Sequence, residues 1–206
     1  MENEFLIKRN VLIKYNGSAQ DVVIPDGVKT IKQQAFFLNF NPRSITIPDG
    51  VKTIEMSAIC DCPNLLKVTI PQSVTTIGAT PFEGCWRLTE ITNYSSVCVD
   101  EPVVIVSPNI PIDKYVKNKE NACKGYLLHQ DLFAEEIAES YRKYASRQMK
   151  KLLPFVLEND CVPALRLYAN MGKITPDNYS SLFFNPAKEA DAQKCIAFLL
   201  EQFNKN

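Results

Sequence analysis

An eight-residue segment returns twice along the chain at a constant spacing of 23 residues. Ile24–Ile31 reads Ile-Pro-Asp-Gly-Val-Lys-Thr-Ile, recurs unchanged as Ile47–Ile54, and returns with three substitutions as Ile70–Ile77. A unit of this length cannot enclose a hydrophobic core alone, so consecutive units must stack on one another. The repeat therefore predicts a solenoid of three coils over residues 24–92.

The apolar pattern inside each unit predicts two strands and an aromatic plug per coil. Leu65–Ile70 reads Leu-x-x-Val-x-Ile, so alternate side chains face the coil interior, and the following proline ends strand pairing. The Val-x-x-Ile segment predicts a second extended segment on the opposite wall, and Ala35–Phe36 predicts a helical turn that fills the coil with a ring. The residues expected to face inward are Ile24, Ile31, Phe36, Ile47, Ile54, Val68, Ile70, Ile77, Phe82, Leu88 and Ile91.

The complete unit, Ile-Pro-x-x-Val-x-x-Ile-x-x-x-Ala-Phe-x-x-Cys-x-x-Leu-x-x-Ile, resembles the BspA-type leucine-rich repeat of bacterial surface proteins over about residues 5–95. Phe5–Gly17 is similar to the hairpin that often precedes the first coil in that family. The resemblance implies a binding scaffold, used for adhesion in some members, and it implies no catalytic residues. The chain departs from the family pattern in having only three full units and in Asn39–Arg43, which lacks the usual cysteine and leucine and predicts a bulge.

Beyond Thr92 the repeat stops, and the chain is expected to have an α+β fold in which an α-helical domain follows the short solenoid. The expected segments are the solenoid with its N-terminal hairpin cap over residues 1–95, a proline-stiffened connector over 96–112 and a helical domain over 113–206. The connector carries one expected strand, Val103–Val106. Because a solenoid with an open apolar end is poorly soluble, the connector strand or the first helices should cover the last coil around Trp86 and Ile91.

Start and stop signals divide the helical domain into several helices. Asp131 is expected to cap a helix whose buried face carries Phe133, Ile137, Tyr141 and Tyr144. A further helix is expected at Leu152–Asn159, with Pro154 near its start or at a kink. Asp160 is expected to cap the next helix and Gly172 to end it, and Thr175–Pro176 is expected to start another. The last helix is expected over 191–203, and its inward residues are Ala192, Ile196, Leu199, Leu200 and Phe203.

A fainter repeat runs through these helices at an offset of 31 residues. Asp160, Leu165 and Ala169 correspond to Asp191, Ile196 and Leu200. Paired helices at this spacing resemble degenerate ankyrin-type units, although the Thr-Pro-Leu-His signature is absent. A non-repetitive helical domain with coincidental matches is an equally good interpretation, and both make this half helical.

Composition excludes several classes of protein. The 206 residues carry 23 basic and 23 acidic side chains, and 46% are hydrophobic, which is the balance of a globular domain rather than a disordered or fibrous chain. Neither half has the basic excess typical of a nucleic-acid binder, so no nucleic-acid partner is expected. No apolar run approaches the length of a membrane span and the N-terminus lacks a signal-peptide pattern. As it stands the chain is expected to be cytoplasmic, although the family it resembles lies at cell surfaces.

The sequence offers no catalytic site, metal site or cofactor motif. The seven cysteines, an odd number mostly within apolar runs, are expected to be reduced, while Cys62 and Cys85 share one position of adjacent coils and could also form a disulfide. Cys60-Asp61-Cys62 has the wrong spacing for a zinc pair. His129 is the single histidine and is expected to be structural or solvent-exposed. We therefore expect a protein that is not an enzyme; an enzyme with its site at the junction of the halves is the weakest alternative.

The solenoid sheet offers the best candidate binding surface. Out-facing strand positions should form rows across the coils, with Thr46, Thr69 and Thr92 in one row. The chain is accordingly expected to bind a protein or another macromolecule through this face. An intracellular regulator whose helical half is the binding module is the alternative. The candidate residues are Arg43, Ser44, Thr46, Leu66, Lys67, Thr69, Glu90 and Thr92.

Overall fold

The computed structural model describes residues 4–203, in which a solenoid of strands precedes a set of helices, as expected for the α+β class. The strands are β1 (Phe5–Lys8), β2 (Val11–Tyr15), β3 (Asp21–Val23), β4 (Thr30–Ile31), β5 (Ser44–Thr46), β6 (Thr53–Ile54), β7 (Lys67–Ile70), β8 (Thr76–Ile77), β9 (Glu90–Asn93) and β10 (Val104–Val106). The helices are α1 (Lys119–Leu128), α2 (Glu135–Glu158), α3 (Val162–Asn170), α4 (Pro176–Asn178), α5 (Asn185–Glu189) and α6 (Gln193–Phe203), with a π-helical segment at Tyr179–Phe184.

Two five-stranded sheets form opposite walls of the solenoid. Sheet A has the order β1-β2-β4-β6-β8 and sheet B the order β10-β9-β7-β5-β3. Apart from the β1–β2 hairpin, every strand pair is parallel, and Ile45 lies opposite Val68, which lies opposite Ile91. Partners in the pairs formed among β3 to β9 are separated by the 23-residue repeat, and the predicted stacking and register are confirmed.

The expected inward positions make one continuous hydrophobic core. Phe36, Ile59 and Phe82 occupy the same position of successive coils and all are buried, so each coil is filled by a large side chain. Ile77, on the last strand of sheet A, is half-buried, and the other expected residues are buried. The hairpin continues this core, because the Tyr15 ring lies 4.8 Å from Phe5 and 5.1 Å from Phe36 between ring centroids.

The corner of each coil is built from tight turns rather than from the expected helical turn. Ala35 and Phe37 donate backbone hydrogen bonds three residues back, to Lys32 and Gln34, and no helix is assigned there. The first coil has no bulge in its strand ladder, since β5 stays in register with both neighbours. Two left-handed residues recur in every corner and reverse the chain; they are Gln34 and Leu38, Ser57 and Asp61, and Thr80 and Gly84.

The connector strand and the first helix close the last coil, as predicted. β10 pairs with β9 at the edge of sheet B, and α1 lies against β10. Gly125 makes this approach possible, since a Cβ built on it would lie 2.1 Å from the Ile105 carbonyl oxygen. The expectation that Trp86 is covered there was wrong, because Trp86 is 84% exposed. It sits at a corner of the coil, away from the strand edge that β10 covers.

α2 differs from the two shorter helices that its sequence suggests. Asp131 lies in a short 3₁₀ turn, Gln130–Leu132, and α2 begins only after Ala134. The helix then continues through Pro154, whose exposed position places the missing N–H and the bulky ring on the solvent side. Of the expected inner face, Phe133 and Tyr141 are buried, whereas Ile137 and Tyr144 are half-buried.

Asp160 caps a different helix from the expected one. Its carboxylate accepts hydrogen bonds from the backbone N–H groups of Lys194 (3.0 Å) and Cys195 (2.8 Å), in the first turn of α6. Burial raises the pKa of the Asp160 carboxyl, but these N–H donors outweigh it, and its pKa lies below the ordinary value. Gly172 ends α3 and Pro176 begins α4 as expected, whereas Leu200 of α6 is exposed rather than inward.

Two buried tyrosines of the helical core make a matched pair for testing it. Tyr141 donates its hydroxyl to the Ile110 carbonyl at 2.9 Å, whereas the Tyr168 hydroxyl has no hydrogen-bond partner among residues 4–203. We predict that Tyr141→Phe lowers the free energy of unfolding by about 1–2 kcal/mol, because it leaves a buried carbonyl unpaired. Tyr168→Phe should be neutral or stabilise by up to about 1 kcal/mol, because it removes an unpaired group. Urea unfolding of both variants gives the two values, and an equal loss of stability would contradict the assignment.

Candidate binding surface

Sheet B places the candidate residues in the predicted rows. Asp21, Ser44, Lys67 and Glu90 lie opposite one another in sequence across β3, β5, β7 and β9. The next outward row begins at Val23 and continues through the three threonines. The rows are in register because all pairs are parallel, so their side chains repeat at the strand spacing of about 4.8 Å.

Contacts within the protein already occupy the first row. The Ser44 hydroxyl donates to Asp21 Oδ1 at 2.6 Å, and Lys67 Nζ lies 3.3 Å from Glu90 Oε1. The other carboxylate oxygen of Glu90 is 3.3 Å from His129 Nε2, at the end of α1. Since the Glu90 side chain is only 17% exposed, its role is to join the solenoid to the helical half. The histidine is thus structural, as expected, and Glu90 is a poor candidate for ligand binding.

The remaining candidate residues differ in their solvent exposure. Thr46 and Arg43 are exposed, and Arg43 has no ion-pair partner within the described residues. Thr69, Thr92 and Leu66 are half-buried. The open part of the predicted surface therefore lies towards the first two coils of sheet B.

A row of two exposed aromatic residues and a proline at the solenoid corner was not singled out from the sequence. Phe40, Pro63 and Trp86 occupy one position of the three coils, and we call them the corner ridge. Phe40 is 59% and Trp86 84% exposed, while Pro63 between them is half-buried. Their 23-residue spacing was visible in the sequence, but the only tryptophan was expected to be covered. The solvent exposure of Trp86 is decided by its position in the coil and not by its hydrophobicity.

Polar side chains fix the backbone beneath the corner ridge. Asn64 Nδ2 donates to the Phe40 carbonyl at 2.8 Å, and Arg87 Nη1 donates to Asn64 Oδ1 at 3.4 Å. On the inner side, the Cys62 thiol donates to the Phe36 carbonyl at 3.2 Å and the Cys85 thiol to the Ile59 carbonyl at 3.2 Å. The ridge is therefore held by contacts between coils rather than by a flexible loop.

The cysteines act as packing and hydrogen-bonding groups. All seven are unpaired, so Cys62 and Cys85 form no disulfide in this structure. Burial raises the pKa of Cys123, and it raises the pKa of Cys195 to about 12. Such thiols stay protonated near neutral pH and are poor nucleophiles.

An apolar groove lies on the surface of the helical half. It has a volume of about 390 Å³ and lies between α2 and α5, lined by Leu153, Pro154, Leu157, Leu182 and Pro186. Lys150, Glu158 and Glu189 stand at its rim. In the alternative interpretation, in which the helical half binds the partner, this groove is the candidate binding site.

The described residues hold neither a metal-binding cluster nor a helix that could span a membrane. Within residues 4–203 no group of three or more His, Cys, Asp or Glu side chains could hold a metal ion. Over the same range, none of the helices combines the length and the apolar character that crossing a membrane requires.

Comparison with known proteins identifies the repeat. Residues 7–99 match the family model of the BspA type leucine rich repeat region (6 copies). The N-terminal part of the chain is therefore similar to BspA-type repeats, as the sequence resemblance implied, and the match stops before β10. The ankyrin-type interpretation of the helical half is not confirmed. Neither the curated proteins nor the solved structures gave a match to the chain.

Proposed function

We propose that the chain is a non-enzymatic scaffold that binds a protein or another macromolecule through its solenoid. One observation carries the proposal. Of the nine large hydrophobic residues exposed in residues 4–203, six belong to the solenoid and three to the rest of the chain. Leu38, Phe40 and Trp86 lie at the coil corners, and an exposed apolar patch with polar residues around it is typical of an interaction site. The six are Leu6, Val23, Leu38, Phe40, Met56 and Trp86.

The open part of sheet B supplies the polar side of this surface. Arg43 and Thr46 are exposed, and Val23, at 64% exposure, continues the threonine row. Arginine is enriched in interface hot spots, because its planar group forms paired hydrogen bonds and also stacks. We include Leu66, Thr69 and Thr92 at the edge of the site, and we assign Ser44, Lys67 and Glu90 to contacts within the protein.

The groove between α2 and α5 supports a second candidate, in which the helical half is the binding module. An apolar floor with charged rims suits a short amphipathic segment of a partner. The groove is formed by Leu153, Leu157 and Leu182, whereas the solenoid surface contains the aromatic side chains that dominate interface energies. We therefore rank the solenoid first.

Two double variants of the full chain, each changing charge at two exposed positions, distinguish the two candidates. The sheet variant combines Arg43→Glu with Thr46→Arg, and the groove variant combines Lys150→Glu with Glu189→Lys; all four positions are exposed. Proteins captured from cell extract by the wild-type chain are identified, purified and titrated against each variant. We expect the sheet variant to weaken binding at least tenfold, or about 1.4 kcal/mol, and the groove variant to bind normally.

The opposite result would assign binding to the helical half. Equal binding by both variants would overturn the proposal that these surfaces recognise the partner. Circular dichroism of both variants excludes misfolding as the cause of a loss.

A further inference from the structure

We infer that the corner ridge, Phe40, Pro63 and Trp86, binds a proline-rich segment of a partner protein in the polyproline II conformation, with an acidic residue beside its prolines. This inference rests on the proposed function and specifies the chemistry of the partner. Spacing, exposure and charge support it separately.

The spacing of the ridge matches the repeat of a polyproline II helix. The coil corners keep the strand spacing, because Phe36 N–H donates to the Ala58 carbonyl at 3.1 Å and Ile59 N–H to the Pro81 carbonyl at 2.9 Å. Two such spacings put the backbone positions of Phe40 and Trp86 about 9.6 Å apart. One turn of polyproline II is three residues and about 9.3 Å long. Prolines three residues apart can therefore each meet one of the two aromatic side chains.

The shape and the free donor of the ridge suit such a ligand. Phe40 and Trp86 are exposed on either side of the half-buried Pro63, so two aromatic side chains are available to a ligand along one row. Aromatic-lined grooves bind proline-rich segments because these segments are already extended and lose little entropy. The Trp86 indole N–H has no hydrogen-bond partner within residues 4–203, so it is available to a carbonyl of the ligand.

Charge beside the ridge specifies the acidic residue. Arg87 follows Trp86 directly, and its side chain hydrogen-bonds to the neutral Asn64; Arg43 follows Phe40 by three residues and directly precedes β5. Neither arginine forms an ion pair within the described part of the chain. Glu83 and Asp61 precede the ridge residues of their coils, and Glu83 Oε2 already accepts a hydrogen bond from the Thr80 hydroxyl at 3.3 Å. A carboxylate of the ligand is therefore favoured on the arginine side, where paired hydrogen bonds can form.

A second copy of this chain is not the occupant we infer. The chain has prolines three residues apart at Pro108 and Pro111, but Pro108 is buried and cannot reach another molecule. The ligand is instead an extended segment of a different protein.

Synthetic peptides titrated against the full-length chain test the inference. The probe has prolines three residues apart and a flanking glutamate; one control has prolines two residues apart, and another carries lysine in place of glutamate. Trp86 is the single tryptophan, so its emission should shift as the probe binds. We expect each control peptide to bind about tenfold or more weakly, because hot-spot contacts are lost.

Variants assign the binding to the ridge. Trp86→Ala and Phe40→Ala, measured by calorimetry, should each weaken probe binding at least about tenfold. Val116→Ala is the matched control, since Val116 is 94% exposed in the segment before α1. Probe binding that is independent of proline spacing, or unaffected by Trp86→Ala, overturns the inference. The inference is also overturned if the chain does not bind the probe but still captures a partner through Arg43. In that case the proposed function stands.

Discussion

Replacing Phe82 with alanine should lower the free energy of unfolding by about 3–5 kcal/mol. Phe82 fills the last coil of the solenoid and is almost fully buried. Truncation removes the ring and leaves a cavity that the coil cannot easily collapse to fill, because backbone hydrogen bonds from the preceding coil, Ile59 N–H to the Pro81 carbonyl and Asp61 N–H to the Glu83 carbonyl, hold the chain around it. Urea unfolding followed by circular dichroism measures the loss.

Phe40→Ala is the matched control for this prediction. It removes the same ring from an exposed corner of the first coil and should change the free energy of unfolding by no more than about 0.5 kcal/mol. A similar loss in both variants would contradict the inward and outward positions assigned to these phenylalanines. The comparison therefore tests the coil register itself and not only the presence of a hydrophobic core.

Gly125→Ala should destabilise the protein by about 1–3 kcal/mol, although alanine is the better helix former by about 1 kcal/mol. The added methyl group would lie 2.1 Å from the Ile105 carbonyl oxygen and 2.9 Å from the Val106 nitrogen, so α1 must move away from β10. Besides a lower midpoint in urea, amide hydrogen exchange at Val104–Val106 should become faster, because the strand loses its cover.

Asn121→Ala provides the control within the same helix. Asn121 lies in α1 and lines an open surface cavity, so this substitution should alter stability by less than about 0.5 kcal/mol. If Gly125→Ala proved as stable as Asn121→Ala, the close packing of α1 on the solenoid would be wrong.

The solenoid could be predicted because the same pattern of residues recurs in each coil. The positions of Ile45, Val68 and Ile91 follow from one another once the period is known, and the structure pairs them as expected. The corners were less predictable, because the left-handed conformation of Gln34 and Leu38 is imposed by stacking against the next coil. Local propensity favours neither residue there, since both carry a Cβ.

The candidate site was predicted only in part, for a related reason. The rows of sheet B follow from the repeat, but the contact between Glu90 and His129 depends on how the two halves pack. Asp160 likewise precedes α3 in sequence and caps α6 in space. Trp86 is the opposite case. Its position in the repeat was visible in the sequence, but the expectation that a tryptophan is buried led to the wrong prediction.

The two ends of sheet B differ, and this difference constrains how the protein can lengthen. At the C-terminal end, α1 meets the backbone of β10, a strand of the connector that lies outside the 23-residue repeats. At the other end of sheet B, β3 is an edge strand. Duplication of a whole coil upstream of the connector would therefore leave the α1 contact unchanged. The number of coils, and with it the length of the corner ridge, can vary during evolution without redesign of the helical half.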